Sequence, residues 1–79
     1  MIEAEEYSWL LMCKGEPIGT TDELGKAEEI LRQEFLADRS WSEEDAGDRL
    51  TFDLKFHIWV LFWDRMADWS FTATKIPKL

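Results

Sequence analysis

The sequence predicts an α+β fold: a small antiparallel sheet of about four strands in the order β-β-α-β-β, with one main helix packed on one face. Three observations lead there. Apolar residues alternate at every second position near the start and again over residues 50–63, which is strand periodicity. Between these stretches, residues 20–38 place apolar side chains three and four apart, which is helix periodicity. Turn-forming residues separate the first two strands, where "KGEP" carries Gly15 and Pro17.

The elements follow in order. In "EEYSWLLMC", Tyr7, Trp9, Leu11 and Cys13 alternate with Glu6, Ser8, Leu10 and Met12, and the second set turns from polar to apolar along its length. A short strand through Ile18 to Thr20 follows the turn. Pro17 has no amide donor, so this strand belongs at a sheet edge or begins at Pro17. In "TTDELGKAEEILRQEFLAD", Thr20 and Glu23 have capping-box spacing, and Leu24, Ala27, Leu31 and Phe35 form one stripe with Ile30 beside it. Glu28 and Arg32 have the spacing of an exposed i, i+4 ion pair, and Gly25 weakens the first turn. "RSWSEEDAGDR" reads as an acidic loop in which Ser42 caps a single turn over residues 43–45.

Residues 50–63 and 69–76 read as a hairpin. Leu50, Phe52, Leu54, Phe56, Ile58, Val60 and Phe62 hold one face without a break. Phe52, Phe56, Trp59, Trp63 and Met66 also fit helical spacing, so a helix over residues 50–66 stays open. The unbroken alternation and the β-branched and aromatic composition favour the strand. Its second face begins wet, with Thr51, Asp53, Lys55 and His57, and ends dry, with Trp59, Leu61 and Trp63. If the two long strands are neighbours, Leu10 and Met12 join that dry end. The result is an apolar patch larger than monomers usually expose. Three covers offer themselves: the loop around Trp41, the same patch on a second copy, or a foreign partner. Leu10, Met12, Trp59, Leu61 and Trp63 are therefore the candidate dimer interface. Trp41, in a hydrophilic loop, is either a lid or an interface anchor.

Length and charge bound the function. Seventy-nine residues make one domain, 1–79, with a thin stability margin that five Trp and five Phe help to widen. One cysteine, Cys13, permits no internal disulfide and suits a reducing cytoplasm. The acidic start "MIEAEEYS" lacks the basic region of a secretory segment, and the six-residue run "IWVLFW" is far short of the ~20 residues of a membrane span. The net charge of −8 is uneven. Residues 1–48 hold fourteen acids and four bases, and residues 49–79 hold three acids and five bases. Direct nucleic-acid binding needs clustered Lys and Arg, so the expected partner is a basic protein surface.

No chemistry-bearing constellation emerges. His57 is the only histidine, and a Ser-His-Asp or Cys-His arrangement would have to use it with Lys55 and Asp53, two and four residues away, as its same-face neighbours. One His and one Cys make no usual zinc site, the acids have no calcium-loop spacing, and the four glycines form no phosphate cradle. No catalytic residue, cofactor or metal is assigned. The candidate partner-binding residues are the acids Glu28, Glu29, Glu34 and Asp38 of the helix and Glu43, Glu44, Asp45 and Asp48 beyond it, with Trp41 as apolar anchor. Carboxylates so displayed can occupy a basic groove built for phosphates.

In length, single cysteine, "EEDAGD" acid cluster and lack of enzyme motif, the whole chain resembles the small acidic proteins that phages use against bacterial defences, anti-CRISPR proteins in particular. These share no common motif, so the resemblance assigns no residue. It implies a non-enzymatic blocker of a CRISPR effector complex, a type I surveillance complex kept from its target DNA in the host bacterial cytoplasm. Two alternatives stand beside it: a small dimeric accessory or adaptor protein whose acids only solubilise, and an antitoxin or immunity protein.

Overall fold

In a computed structural model, which describes residues 7–77, the chain is α+β with one antiparallel sheet of five strands and one main helix. The elements are β1 (Tyr7–Cys13), β2 (Glu16–Thr21), α1 (Leu24–Arg39), α2 (Glu43–Ala46), β3 (Leu50–Lys55), β4 (Ile58–Trp63) and β5 (Met66–Pro77). The sheet order is β2-β1-β5-β4-β3, so the first and last strands in sequence are neighbours at its centre. Pro17 lies in β2, an edge strand, as its missing amide requires.

The expected single strand over residues 50–63 is two strands, β3 and β4, and this is why the sheet has five. A two-residue turn at Phe56 and His57 divides them, with φ of 52° and 68°. Lys14–Gly15 and Asp64–Arg65 turn in the same left-handed manner, with positive φ at both residues. Such turns match the twist of a hairpin, and they favour Asn or Gly. Residues 56 and 57 carry neither, so the turn left no mark on the alternation.

The turn also answers where the dry face goes. Pairing across it joins Leu54 to Trp59, Phe52 to Leu61 and Leu50 to Trp63. Directly paired residues share a sheet face. The dry end of one apparent face is therefore the same surface as the start of the other. That surface lies under α1. Ile58, Val60 and Phe62 point to the opposite face, opposite Lys55, Asp53 and Thr51.

The core forms between α1 and its face of the sheet. Ala27, Leu31, Phe35 and Leu36 of α1 are buried against Leu11 of β1, Leu61 of β4, and Phe71 and Ala73 of β5. Phe35 meets Phe71 edge to face at 5.3 Å. Phe71 reaches this position because the β4–β5 register shifts between Val60 and Leu61: Val60 pairs with Thr72 but Leu61 with Asp68, which leaves residues 69–71 as a bulge. α1 starts later than the capping spacing suggested. Thr20 and Thr21 belong to β2, Glu23 is the N-cap without a side-chain cap, and the Thr21 hydroxyl accepts the Glu23 amide at 3.3 Å. The helix ends at Ser40, whose left-handed φ of 57° lets the Trp41 amide return to the Leu36 carbonyl at 2.9 Å.

Candidate functional site

Trp41 is the lid. Its ring packs edge to face on Phe35 at 5.9 Å and on Trp63 at 5.3 Å, so the loop after α1 covers the wide end of the β4 apolar face. Two arginines close the cluster. The Arg39 guanidinium lies 4.7 Å from the Phe35 ring centre and 5.2 Å from that of Trp63. Arg49 lies 5.1 Å from Trp41 and 5.0 Å from Trp63, and its Nη2 donates to Asp64 Oδ2 at 2.8 Å. This hydrogen bond holds the Asp64 carboxyl below the usual carboxylate range and raises Arg49. Arginine stacks on aromatic rings while keeping its edge for a carboxylate; Arg49 does so with Asp64, and Arg39 Nη2 lies 3.8 Å from Asp68 Oδ2.

Leu10, Met12, Trp59, Leu61 and Trp63 do not form one patch. Leu61 is fully buried, and Trp59 and Trp63 pack on the core beneath α1. Leu10 and Met12 pair with Thr74 and Thr72 on the opposite face. The physical reason is the hidden turn: it reverses which face the odd-numbered residues of β4 occupy relative to those of β3.

The eight candidate acids also separate. Glu28 accepts the Trp59 indole N–H at 2.7 Å, and with Glu29 and Arg32 it borders an open groove of about 430 Å³ beside residues 50–52 of β3. Asp38 lies on the other flank of α1, where it pairs with Lys14 and raises that amine through their hydrogen bond. Glu34 is on the same flank. Its charge acts on Cys13, whose thiol is pushed up first by burial and then by this carboxylate.

The α2 acids have structural duties. Arg32 leaves the expected pairing with Glu28 and holds Glu43 instead, its Nε at 3.0 Å and Nη2 at 2.8 Å from Oε1, while Gln33 Nε2 donates to Oε2 at 2.7 Å. These bonds lower the Glu43 carboxyl, Arg32 contributing most. Ser42 and Asp45 form a capping box, as the loop sequence suggested for Ser42: the Asp45 amide donates to Ser42 Oγ at 3.1 Å and the Ser42 amide to Asp45 Oδ2 at 2.8 Å. The bond from the Ser42 backbone is the main cause of the lowered Asp45 carboxyl.

Glu29, Glu34, Glu44 and Asp48 make no hydrogen bond or ion pair among the described residues, and all four are exposed. Three of the four bases of residues 24–49 are turned onto the protein itself: Arg32 onto Glu43, and Arg39 and Arg49 onto the aromatic cluster. Spacing alone did not show this, because a guanidinium and a ring brought together from α1, β4 and the loops carry no local sequence signal. The layer therefore displays free carboxylates while its arginines are held in internal contacts. It offers no coordination site of three or more His, Cys, Asp or Glu among the described residues. His57 stands exposed in the β3–β4 turn. Among the described residues no helix is long and apolar enough to cross a membrane. Comparisons with protein-family models, curated proteins and solved structures return no match.

Proposed function

We propose that this chain is a non-enzymatic acidic protein that binds the basic, nucleic-acid-binding surface of a protein complex and blocks it. Its most specific form is an anti-CRISPR inhibitor that keeps a type I surveillance complex from its target DNA in the bacterial cytoplasm. One observation carries the reading. The arginines of the helix layer are spent on internal contacts, while Glu29, Glu34, Glu44 and Asp48 stay free to meet a basic partner. Such a field speeds association with a basic groove and makes the contact salt-sensitive.

The test uses purified type I surveillance complexes and labelled target DNA. The native chain is expected to lower DNA binding, and less so as salt rises. Glu29→Lys combined with Glu44→Lys and Asp48→Lys is expected to abolish the effect without unfolding the domain. Glu43 and Asp45 are poor probes, because reversing them also breaks the Arg32 contact and the Ser42 cap. Undiminished DNA binding with the native chain would remove the anti-CRISPR form of the proposal. Full inhibition by the triple variant would remove the acidic surface as its cause.

A further inference from the structure

The face of the sheet turned away from α1 has no second layer among the described residues, yet it is not built as a water-facing surface. Its centre is Val60, at 0% exposure, beside Thr72 at 7%. Around them lie Leu10 and Met12 of β1, Ile58 and Phe62 of β4 and Ile76 of β5, all half-buried. Paired positions on this face include Ser8, Thr20, Thr51 and Thr74. Its charged members lie at its edges: Asp53 and Lys55 on the edge strand β3, where the Lys55 amine leans over the Phe62 ring at 5.8 Å, and Asp22 just past β2, which accepts the Ser8 hydroxyl at 2.8 Å. In a chain of which 33% is charged, that is a near-neutral apolar strip.

We propose that this face joins two copies of the chain, sheet against sheet. The charge distribution selects the occupant. Two chains of net charge −8 repel, and the helix layer carries eight of the acids. The sheet face lets like chains approach without bringing those acids together, since stacking two sheets puts both helix layers outermost. A strongly basic or acidic partner would find charges there only at the edges of the face. The size also fits. The extents of the molecule, 45 × 21 × 21 Å, bound the outline of a whole face at about 900 Å², which leaves room for the roughly 800 Å² that a standard interface covers on each partner. A twofold contact uses the same patch twice, so the half-buried Leu10, Met12, Ile58 and Phe62 around Val60 would meet their own counterparts across a gap of about 10 Å between sheets. This inference goes beyond the blocking role and does not rest on it.

Sedimentation velocity and light scattering across a concentration series, at low and high salt, test the proposal. A species of twice 9.4 kDa is expected, and added salt should leave it unchanged or tighten it, because salt screens the repulsion between the two acidic chains. Leu10→Lys and, separately, Thr74→Lys should weaken dimerisation by roughly tenfold or more, since each forces a charge into the contact. Each variant's folding is followed by circular dichroism and thermal melting, and Glu44→Lys on the helix layer should dimerise like the native chain. A native chain that stays monomeric at the highest concentration it tolerates would overturn the proposal and leave the face to a different partner. So would a dimer that survives unchanged in a folded Thr74→Lys variant, or one that salt dissociates.

Discussion

Under α1, the side chains of Leu11, Leu61, Phe71 and Ala73 meet a second layer and are buried by it; on the opposite face Leu10, Met12, Ile58 and Phe62 surround the buried Val60 and Thr72 without a layer above them, and stop half-buried. The same strands supply both sets. What differs is the partner layer, together with what caps its ends. The helix side has Trp41, Arg39 and Arg49 as a cover of rings and guanidinium groups. At the far tip of the sheet, by contrast, Phe56 is 84% exposed and touches Trp69, itself 49% exposed, at 6.3 Å. Burial of similar residues thus follows from topology more than from hydrophobicity.

Deletion of buried volume should break the symmetry most clearly. Phe35→Ala is expected to cost about 3–5 kcal/mol, because the Trp41 and Phe71 rings that it touches are held by other contacts and cannot close the cavity. Leu10→Ala on the open face should cost about 1 kcal/mol or less when measured at concentrations too low for self-association. Urea unfolding measures both, and equal costs would show that the two faces are packed alike. Trp59→Phe removes the indole N–H that Glu28 accepts and keeps most of the apolar bulk, so a loss of about 1–2 kcal/mol is expected. A negligible loss would mean that water replaces the indole without penalty.

At the tip the sign reverses. Phe56 sits at φ 52°, a conformation that Asn tolerates and a bulky side chain does not, so Phe56→Asn should stabilise the monomer by about 1 kcal/mol. A destabilised variant would instead make the Phe56–Trp69 contact the stronger term. The smallest effect concerns the acids. Glu43 has a lowered carboxyl pKa in the fold, so its ionised form stabilises above the ordinary carboxylate range and that contribution is lost as pH falls through the lowered value. Thermal melting of Glu43→Gln from about pH 6 to about pH 3 should show a deficit against the native chain that shrinks toward zero in acid. A deficit constant with pH would assign the effect to lost packing.

Periodicity made the helix, the first strand, the edge position of β2 and the capped turn at Ser42 legible, because each is a local pattern. The division of residues 50–63 was not, since Phe56 and His57 occupy a turn whose usual residues they are not, and the alternation runs through it unbroken. That one concealed turn moved Trp59, Leu61 and Trp63 beneath the helix. Of the candidate site, the acids were identifiable as residues but their division between the flanks of α1 was not. The capture of Arg32 by Glu43 depends on where a loop returns, which no i, i+4 rule encodes.

The central position of β5 has a consequence for synthesis. β5 is the last strand in the chain, yet it is the one that pairs with both β1 and β4, and Tyr7 lies opposite Pro77. Before residues 66–77 have left the ribosome, the nascent chain has two separate hairpins and a helix with no sheet to cover. Closing the fold means joining segments some seventy residues apart, a contact that forms late and carries the entropy of a long loop. Until β5 has emerged and paired, the apolar residues of β1 and β4 that it covers stay open to aggregation.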